Sequence, residues 1–380
     1  MSVIRRLILS DFRNYTSLDL SLDTQMVALV GDNGAGKTNI LEALSLLSPG
    51  RGLRRAHFAA MTRLGPMGEP AMSRGFSVSV EMDGAYGCVQ MGAGHDPALE
   101  AARQCRINRE PVASVMAFTE YCRILWLTPD NDGLFRGSAG DRRRFLDRLV
   151  LAVDSTHGAR VNALEKALRA RNRLLEESQP DHRWLDAIER EVAETGIAVT
   201  AARSETVNRL LAVIKAEHDL ASPFPFAGLV LQGELETILH ESNALATEEW
   251  YRQALRDNRR RDQTAGRTLI GPNTSDLLVR HGPKDMPAEQ ASTGEQKALL
   301  IGLILAQARL VQQMSGIAPL VLLDEVAAHL DPLRRAALFE RLVTLGGQVW
   351  MTGTDASLFE AMPSHASVFC VASGMVERVS

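Results

Sequence analysis

The chain has 380 residues, 45% of them hydrophobic, with 42 Lys and Arg against 46 Asp and Glu and a formal net charge of −4. That length suits two domains, or one large domain with an insertion, and the mild acidity excludes a surface coated in basic residues, so any nucleic-acid contact has to come from local patches. No apolar run reaches the roughly eighteen residues of a membrane span, the amino-terminal MSVIRRLILSDFRNY lacks the apolar centre of a signal peptide, and Cys88, Cys105, Cys122 and Cys370 form no C-x-x-C pair; a cytoplasmic protein without a membrane partner is expected, its cysteines buried as small hydrophobes.

Residues 2–10 and 16–21 alternate apolar and polar like half-buried strands, and MVALV at 26–30 is the continuous apolar run of a fully buried one. FSVSVEM at 76–82, a turn at Asp83-Gly84 and YGCVQM at 86–91 read as a hairpin. From about 139 to 218 the period becomes helical, broken at Gln179-Pro180-Asp181. A strand candidate near 226–232 and one helix around 247–262 follow, after which strand and helix alternate again. The helical middle thus reads as an insertion into an α/β domain.

GDNGAGKT, running from Gly31 through Asp32, Asn33, Gly34, Ala35, Gly36 and Lys37 to Thr38, fits G-x-x-x-x-G-K-[ST] between an apolar strand and a helix that begins with Asn39. The glycines let backbone N–H groups curl toward phosphate oxygens, and the helix N-terminus adds favourable potential. Lys37 reaches the β and γ phosphates, and the Thr38 hydroxyl ligates Mg²⁺. In PLVLLDEVAAHLD, 319–331, an apolar strand delivers Asp324 and Glu325 to its carboxyl end, where ligands of open α/β sheets sit. Asp324 is expected to hold Mg²⁺ through water and Glu325 to polarise the attacking water. ASTGEQKALLIGLILAQ, 291–307, opens a helix with Ser292 and Glu295 spaced as a capping box.

Together these motifs resemble the head of an ATP-binding-cassette ATPase, and the whole chain is similar to the RecF family of bacterial recombination-repair ATPases. LILSDFRNYTSLDL at 7–20, GDNGAGKTNILEALSLL at 31–47, GDRRRFLDRL at 140–149, TLIGPNTSDLLV at 268–279, ASTGEQKALLIGLILAQ and VLLDEVAAHLD carry the resemblance. It implies an α/β P-loop ATPase head with amino-terminal antiparallel strands, formed by residues 1–130 and 265–380, and an inserted compact helical lobe at 131–264. It further implies that 291–307 is the signature helix, with Ser292 and Gly294 meeting the γ-phosphate on a second subunit, so that ATP glues a homodimer. Loading at gaps or single-strand/duplex DNA junctions, with RecR and RecO as partners, also follows from the resemblance. Two other classes stay open: a transporter cassette, disfavoured because Thr352 or Thr354 stands in the switch region where transporters carry histidine, and a chromosome-maintenance head, which should carry a long heptad coiled coil. Glu295 stands where glutamine is usual, and Thr128-Pro129-Asp130-Asn131 is the candidate connection between lobes.

Two arginine clusters, Arg142, Arg143 and Arg144, and Arg259, Arg260 and Arg261, are candidates for neutralising DNA phosphates, the alternative being solvated helix faces. Arg51, Arg54 and Arg55, just past the P-loop helix, are candidates for nucleotide or an opposing subunit.

Overall fold

A computed structural model describes residues 2–63, 75–84, 87–99, 103–217 and 222–379. Its packing divides the chain into two compact units, one formed by the described residues of 1–132, 219–225 and 292–380, the other by those of 133–218 and 226–291.

The first unit contains two six-stranded sheets. One is antiparallel, in the order Tyr15–Ser21, Val3–Phe12, Phe76–Gly84, Gly87–His95, Gln104–Ile107, Glu110–Val112. Leu7 lies opposite both Leu20 and Val80, so the alternating apolar residues of three strands share one buried face. The other sheet runs Met375–Arg378, Ser367–Ala372, Met26–Val30, Val349–Gly353, Leu320–Leu323, Ile124–Leu127. Its pairings are parallel except for the terminal hairpin. MVALV is buried at every position, as a central parallel strand requires. Gln348 stitches the two sheets together: its Oε1 accepts the Ile4 N–H at 3.0 Å, and its Nε2 donates to Ile4 O at 3.1 Å and to Thr24 O at 2.9 Å. The helix Thr293–Ser315, long and apolar enough to cross a membrane, is mostly buried in this unit. Its apolar residues serve the core instead.

In the second unit the helices Ala139–Val153, His157–Leu175 and His182–Ala216 pack with a three-stranded antiparallel sheet of Met286–Pro287, Asp276–His281 and Ala227–Gln232. Ser138 with Asp141, and Asp181 by itself, cap the first and third helices. The core joins Leu164, Leu168, Leu185, Val192, Tyr251 and Leu255. Within it Arg171, fully buried, donates to Glu189 at 3.0 Å, Asp262 and the Leu255 carbonyl at 2.7 Å, and Thr268 at 2.8 Å. Those acceptors compensate the desolvation of the guanidinium.

Several expectations are corrected. Residues 265–291, expected with the ATPase head, belong to the second unit because Asp276–His281 pairs along its whole length with Ala227–Gln232. Asp83 and Gly84 sit inside their strand, opposite Cys88 and Gly87, and the connection at 85–86 lies outside the described residues. The single helix around 247–262 is two, Ala244–Asp257 and Arg259–Ala265, and a further helix, Glu234–Glu241, precedes them. Asn243 and Asn258, a good N-cap residue and a turn former, punctuate them. Cys105 and Cys122 are buried, but Cys88 and Cys370 are exposed. Burial pushes the Cys122 thiol up to about 12, which keeps it inert.

Candidate functional site

The parallel sheet places three loops side by side. Met26–Val30 ends in the P-loop, Leu320–Leu323 ends at Asp324, and Val349–Gly353 lies between them with Thr352 one position before its end. Thr38 Oγ1 donates to Asp324 Oδ1 at 2.9 Å, and Thr352 Oγ1 donates to the same oxygen at 2.7 Å. The Glu325 N–H in turn donates to Thr352 Oγ1 at 2.9 Å. One hydroxyl therefore fixes both acids, Asp324 through its side chain and Glu325 through its backbone. Glu325 itself has φ 53, a left-handed conformation that costs a non-glycine residue about 1 kcal/mol or more. Its carboxylate has no hydrogen-bond partner among the described residues.

In the P-loop, Gly34 and Gly36 adopt φ 83 and 115, and a Cβ on Gly36 would stand 2.5 Å from Asn14 Nδ2 and 2.7 Å from the Tyr15 hydroxyl. Asp32 and Asn33 are exposed at the loop's crest, while Gly36 and Lys37 are buried at its base. Lys37, 4% exposed, donates from Nζ to the carbonyls of Gly31 at 2.6 Å and Asp32 at 2.8 Å. No carboxylate among the described residues lies within ion-pair distance of it. A buried ammonium satisfied only by neutral carbonyls, beside first-turn N–H groups that have no intrahelical acceptors, suits a polyanion. The oxygens of Thr38 and Asp324 are the hard donors that Mg²⁺ takes.

Sequence reasoning missed the clamp beneath the loop. Asn14 donates to Ala35 O at 3.1 Å and accepts from Asn39 Nδ2 at 2.7 Å, while the Tyr15 hydroxyl donates to Gly36 O at 3.1 Å. Burial pushes the Tyr15 phenol up, so it stays a donor. Behind them Glu42, fully buried on the P-loop helix, takes both arms of Arg13 at 2.7 and 2.8 Å and Arg54 at 3.0 Å. An acid within the apolar NILEALSLL was the available signal; its arginine partners are 29 and 12 residues away and could not be read from it.

Ser292 and Glu295 form the expected capping box: Ser292 N–H and Oγ donate to Glu295 Oε2 at 3.0 and 2.9 Å, and the Glu295 N–H returns to Ser292 Oγ at 3.4 Å. Ser292 is exposed, Gly294 half-buried, and neither hydrogen-bonds to the P-loop of its own chain among the described residues. Three residues beyond Gly294, Lys297, 4% exposed, pairs with Asp132 at 3.3 Å. Thr128 closes the strand Ile124–Leu127, whose Leu127 is in register with Leu323, and Asn131 caps the turn.

The arginine clusters divide by partner. Arg142 makes a two-pronged ion pair with Asp276 at 2.7 Å, Arg143 donates to Ser275 O at 2.6 Å, and Arg144 pairs with Asp141. Arg259 pairs with Asp186 and Glu189, whereas Arg260 and Arg261 are exposed without an ion pair among the described residues. Arg142 and Arg259 are therefore structural ties within their unit rather than free cations. Arg54 pairs with Glu42, and Arg51 is exposed.

Residues 3–377 match the RecF/RecN/SMC N terminal domain family. The chain is 52% identical to the DNA replication and repair protein RecF of Rhizobium rhizogenes over 376 residues, 99% of this chain and 98% of that one. It is likewise 52% identical to the protein of that name from Brucella abortus, over 377 residues covering 99% and 96%. Among solved structures, the recombination mediator protein RecF-ATPrS in the RecFOR pathway superposes with a TM-score of 0.86 at 19% identity, covering 100% of this chain and 98% of that one. An Smc head bound to the C-winged helix domain of ScpA superposes with a TM-score of 0.56 at 15% identity, covering 99% and 96%. The fold is thus that of the RecF and Smc head ATPases, and the extent and identity of the sequence match make this chain a member of the RecF family.

Proposed function

We propose that this protein is a cytoplasmic ATPase of recombinational repair and replication restart that binds DNA under the control of ATP. The observation that carries the reading is the network Thr38–Asp324–Thr352–Glu325 beside a buried Lys37 that has no carboxylate partner among the described residues. Lys37 and the P-loop N–H groups bind the β and γ phosphates of ATP; Thr38 and Asp324 hold Mg²⁺, which when bound neutralises phosphate charge. Thr352 keeps Asp324 oriented. Glu325, held by its strained backbone, accepts a proton from the attacking water.

Ser292 and Gly294 act on ATP bound to a second copy of the chain, so ATP binding drives dimerisation and hydrolysis releases it. The exposed signature N-terminus, without a hydrogen bond to its own P-loop, supports this arrangement. The family relationship supports DNA gaps or single-strand/duplex junctions as the target and RecR and RecO as partners. Sedimentation with and without ATP, together with DNA titrations over a range of salt, tests the reading. ATP-independent mass and DNA affinity would overturn it.

A further inference from the structure

The helical unit carries a cleft of about 470 Å³ whose walls include Arg143, Glu165, Arg169, Asn172 and Arg267. The three arginines come from separate segments: the helix Ala139–Val153, the helix His157–Leu175, and the loop beyond Arg259–Ala265. Unlike Arg142 and Arg259, they are poorly neutralised. Arg143 has a carbonyl partner, Ser275 O at 2.6 Å, and no carboxylate within ion-pair distance among the described residues. Burial first, then the neighbouring Arg203, hold its guanidinium below the usual range against the opposing pull of Asp276 and Asp147, neither of which pairs with it directly. Arg267 is exposed and likewise without an ion pair among the described residues. Arg169 meets Glu165, the one carboxylate among the cleft's lining residues, at 3.4 Å in an exposed pair one helical turn apart, which water screens.

Asn172 adds a neutral donor. Thr268 Oγ1 accepts from Arg171 at 2.8 Å and donates to Asn172 Oδ1 at 2.8 Å, which fixes the amide and leaves its N–H₂ without a protein acceptor among the described residues. Three planar guanidinium forks and an amide donor, facing one glutamate on a chain of net charge −4, match the geometry and charge of phosphate oxygens. We infer that this cleft binds phosphate, and that its occupant in the DNA-bound protein is a backbone phosphodiester of the nucleic acid. The inference rests on the DNA-binding reading above and names a place for it that the arginine run at 142–144 did not. The contacts reach phosphate rather than bases, so they add affinity without sequence preference.

The full chain carrying both Arg169→Glu and Arg267→Glu tests this with a fluorescent duplex in ATP at several salt concentrations, the melting transition serving as the check on folding. The expected result is a loss of about tenfold or more for every duplex sequence and a salt slope lower by roughly one to two. Arg183→Glu with Arg190→Glu, two exposed reversals outside the cleft on the helix His182–Ala216, is the charge-matched comparison; an equal loss there reduces the effect to overall charge and overturns the site. Calorimetric titration with inorganic tripolyphosphate, the P-loop being saturated beforehand with a non-hydrolysable ATP analogue, separates the sources. If the double variant keeps its DNA affinity and slope but loses tripolyphosphate binding, the cleft serves small phosphates and the nucleic-acid assignment is overturned. If both are unchanged, it is not an anion site. Should the wild-type chain fail to bind DNA with ATP, the DNA-binding reading fails, and the tripolyphosphate arm still decides the cleft.

Discussion

The Thr352 hydroxyl lies 2.7 Å from Asp324 Oδ1 and 2.9 Å from the Glu325 backbone nitrogen, so a single side chain on the intervening strand holds both acids of the site. Thr352 is fully buried. Thr352→Val keeps the shape but leaves the Glu325 N–H and one Asp324 lone pair without partners, at a cost of about 1–3 kcal/mol for the buried donor. Because both acids then lose their orientation, ATP hydrolysis is expected to fall by more than ATP affinity does. Steady-state turnover compared with nucleotide titration checks this; equal losses in both would assign Thr352 to ground-state binding.

Gly34 and Gly36, at φ 83 and 115 in the P-loop, separate local strain from steric conflict. Gly34→Ala meets nothing within 4 Å and should cost only its backbone strain, about 1–2 kcal/mol. Gly36→Ala drives a methyl into Asn14 and Tyr15, the residues that hold the loop's carbonyls. Nucleotide binding should survive weakened in the first variant and vanish in the second, measured by a fluorescent ATP analogue. Equal affinities would mean that the clamp does not shape the loop.

Beneath that clamp, Glu42 is fully buried between Arg13, 21% exposed, and Arg54, 40% exposed. Removing one partner of a fully buried pair costs about 3–5 kcal/mol, and solvent screening of these half-open arginines lowers the expectation for Glu42→Ala to about 2 kcal/mol. Glu42→Gln, which keeps the acceptor oxygen, should cost less. Chemical denaturation of both variants reads the difference, and a Glu42→Ala midpoint equal to wild type would make the triad ornamental.

Much of this site was legible because its signals are local. Val30 to Thr38 joins a buried strand, glycines and a lysine in one short window, and Asp324-Glu325 follows an apolar strand directly. What escaped was distant in sequence. Gln348 bridges to Ile4, 344 residues away, and Arg171 meets Asp262 and Thr268, 91 and 97 residues away. No periodicity encodes such pairings. The strand Asp276–His281 was missed as a boundary marker for the same reason: it belongs with Ala227–Gln232 through sheet pairing, whereas its sequence position suggested the returning ATPase head. The arginine run is not a single patch either: Arg142, Arg143 and Arg144 are adjacent in sequence yet take three different partners, which adjacency does not encode.

The division of labour between Lys37 and Glu325 predicts opposite mutant behaviour. Lys37→Ala removes the cation proposed to bind the phosphates and should abolish both ATP-induced dimerisation and hydrolysis. Glu325→Gln keeps the binding groups and removes the proposed base, so ATP-bound dimers should accumulate, detectable by sedimentation. A Glu325→Gln protein that dimerises no better than wild type would show that Glu325 is not the base.

The trans assignment of Ser292 is tested by complementation. Ser292→Arg places a bulky cation at both composite sites and should be inactive alone, as should Lys37→Ala. In a mixture of the two, a heterodimer gathers both defects into one site and leaves the other with an intact Lys37 facing an intact Ser292. That site should bind ATP and restore measurable dimerisation. If Ser292 acted within its own chain, each subunit would carry its defect into every pairing, and the mixture with ATP would sediment only as monomers. The capping box sharpens the test, because Ser292→Thr preserves the hydroxyl that meets the Glu295 N–H and should retain the cap. A Ser292→Thr protein that stays dimer-competent, beside a Ser292→Arg protein rescued only by Lys37→Ala, assigns the loss to the composite site rather than to unravelling of the helix Thr293–Ser315.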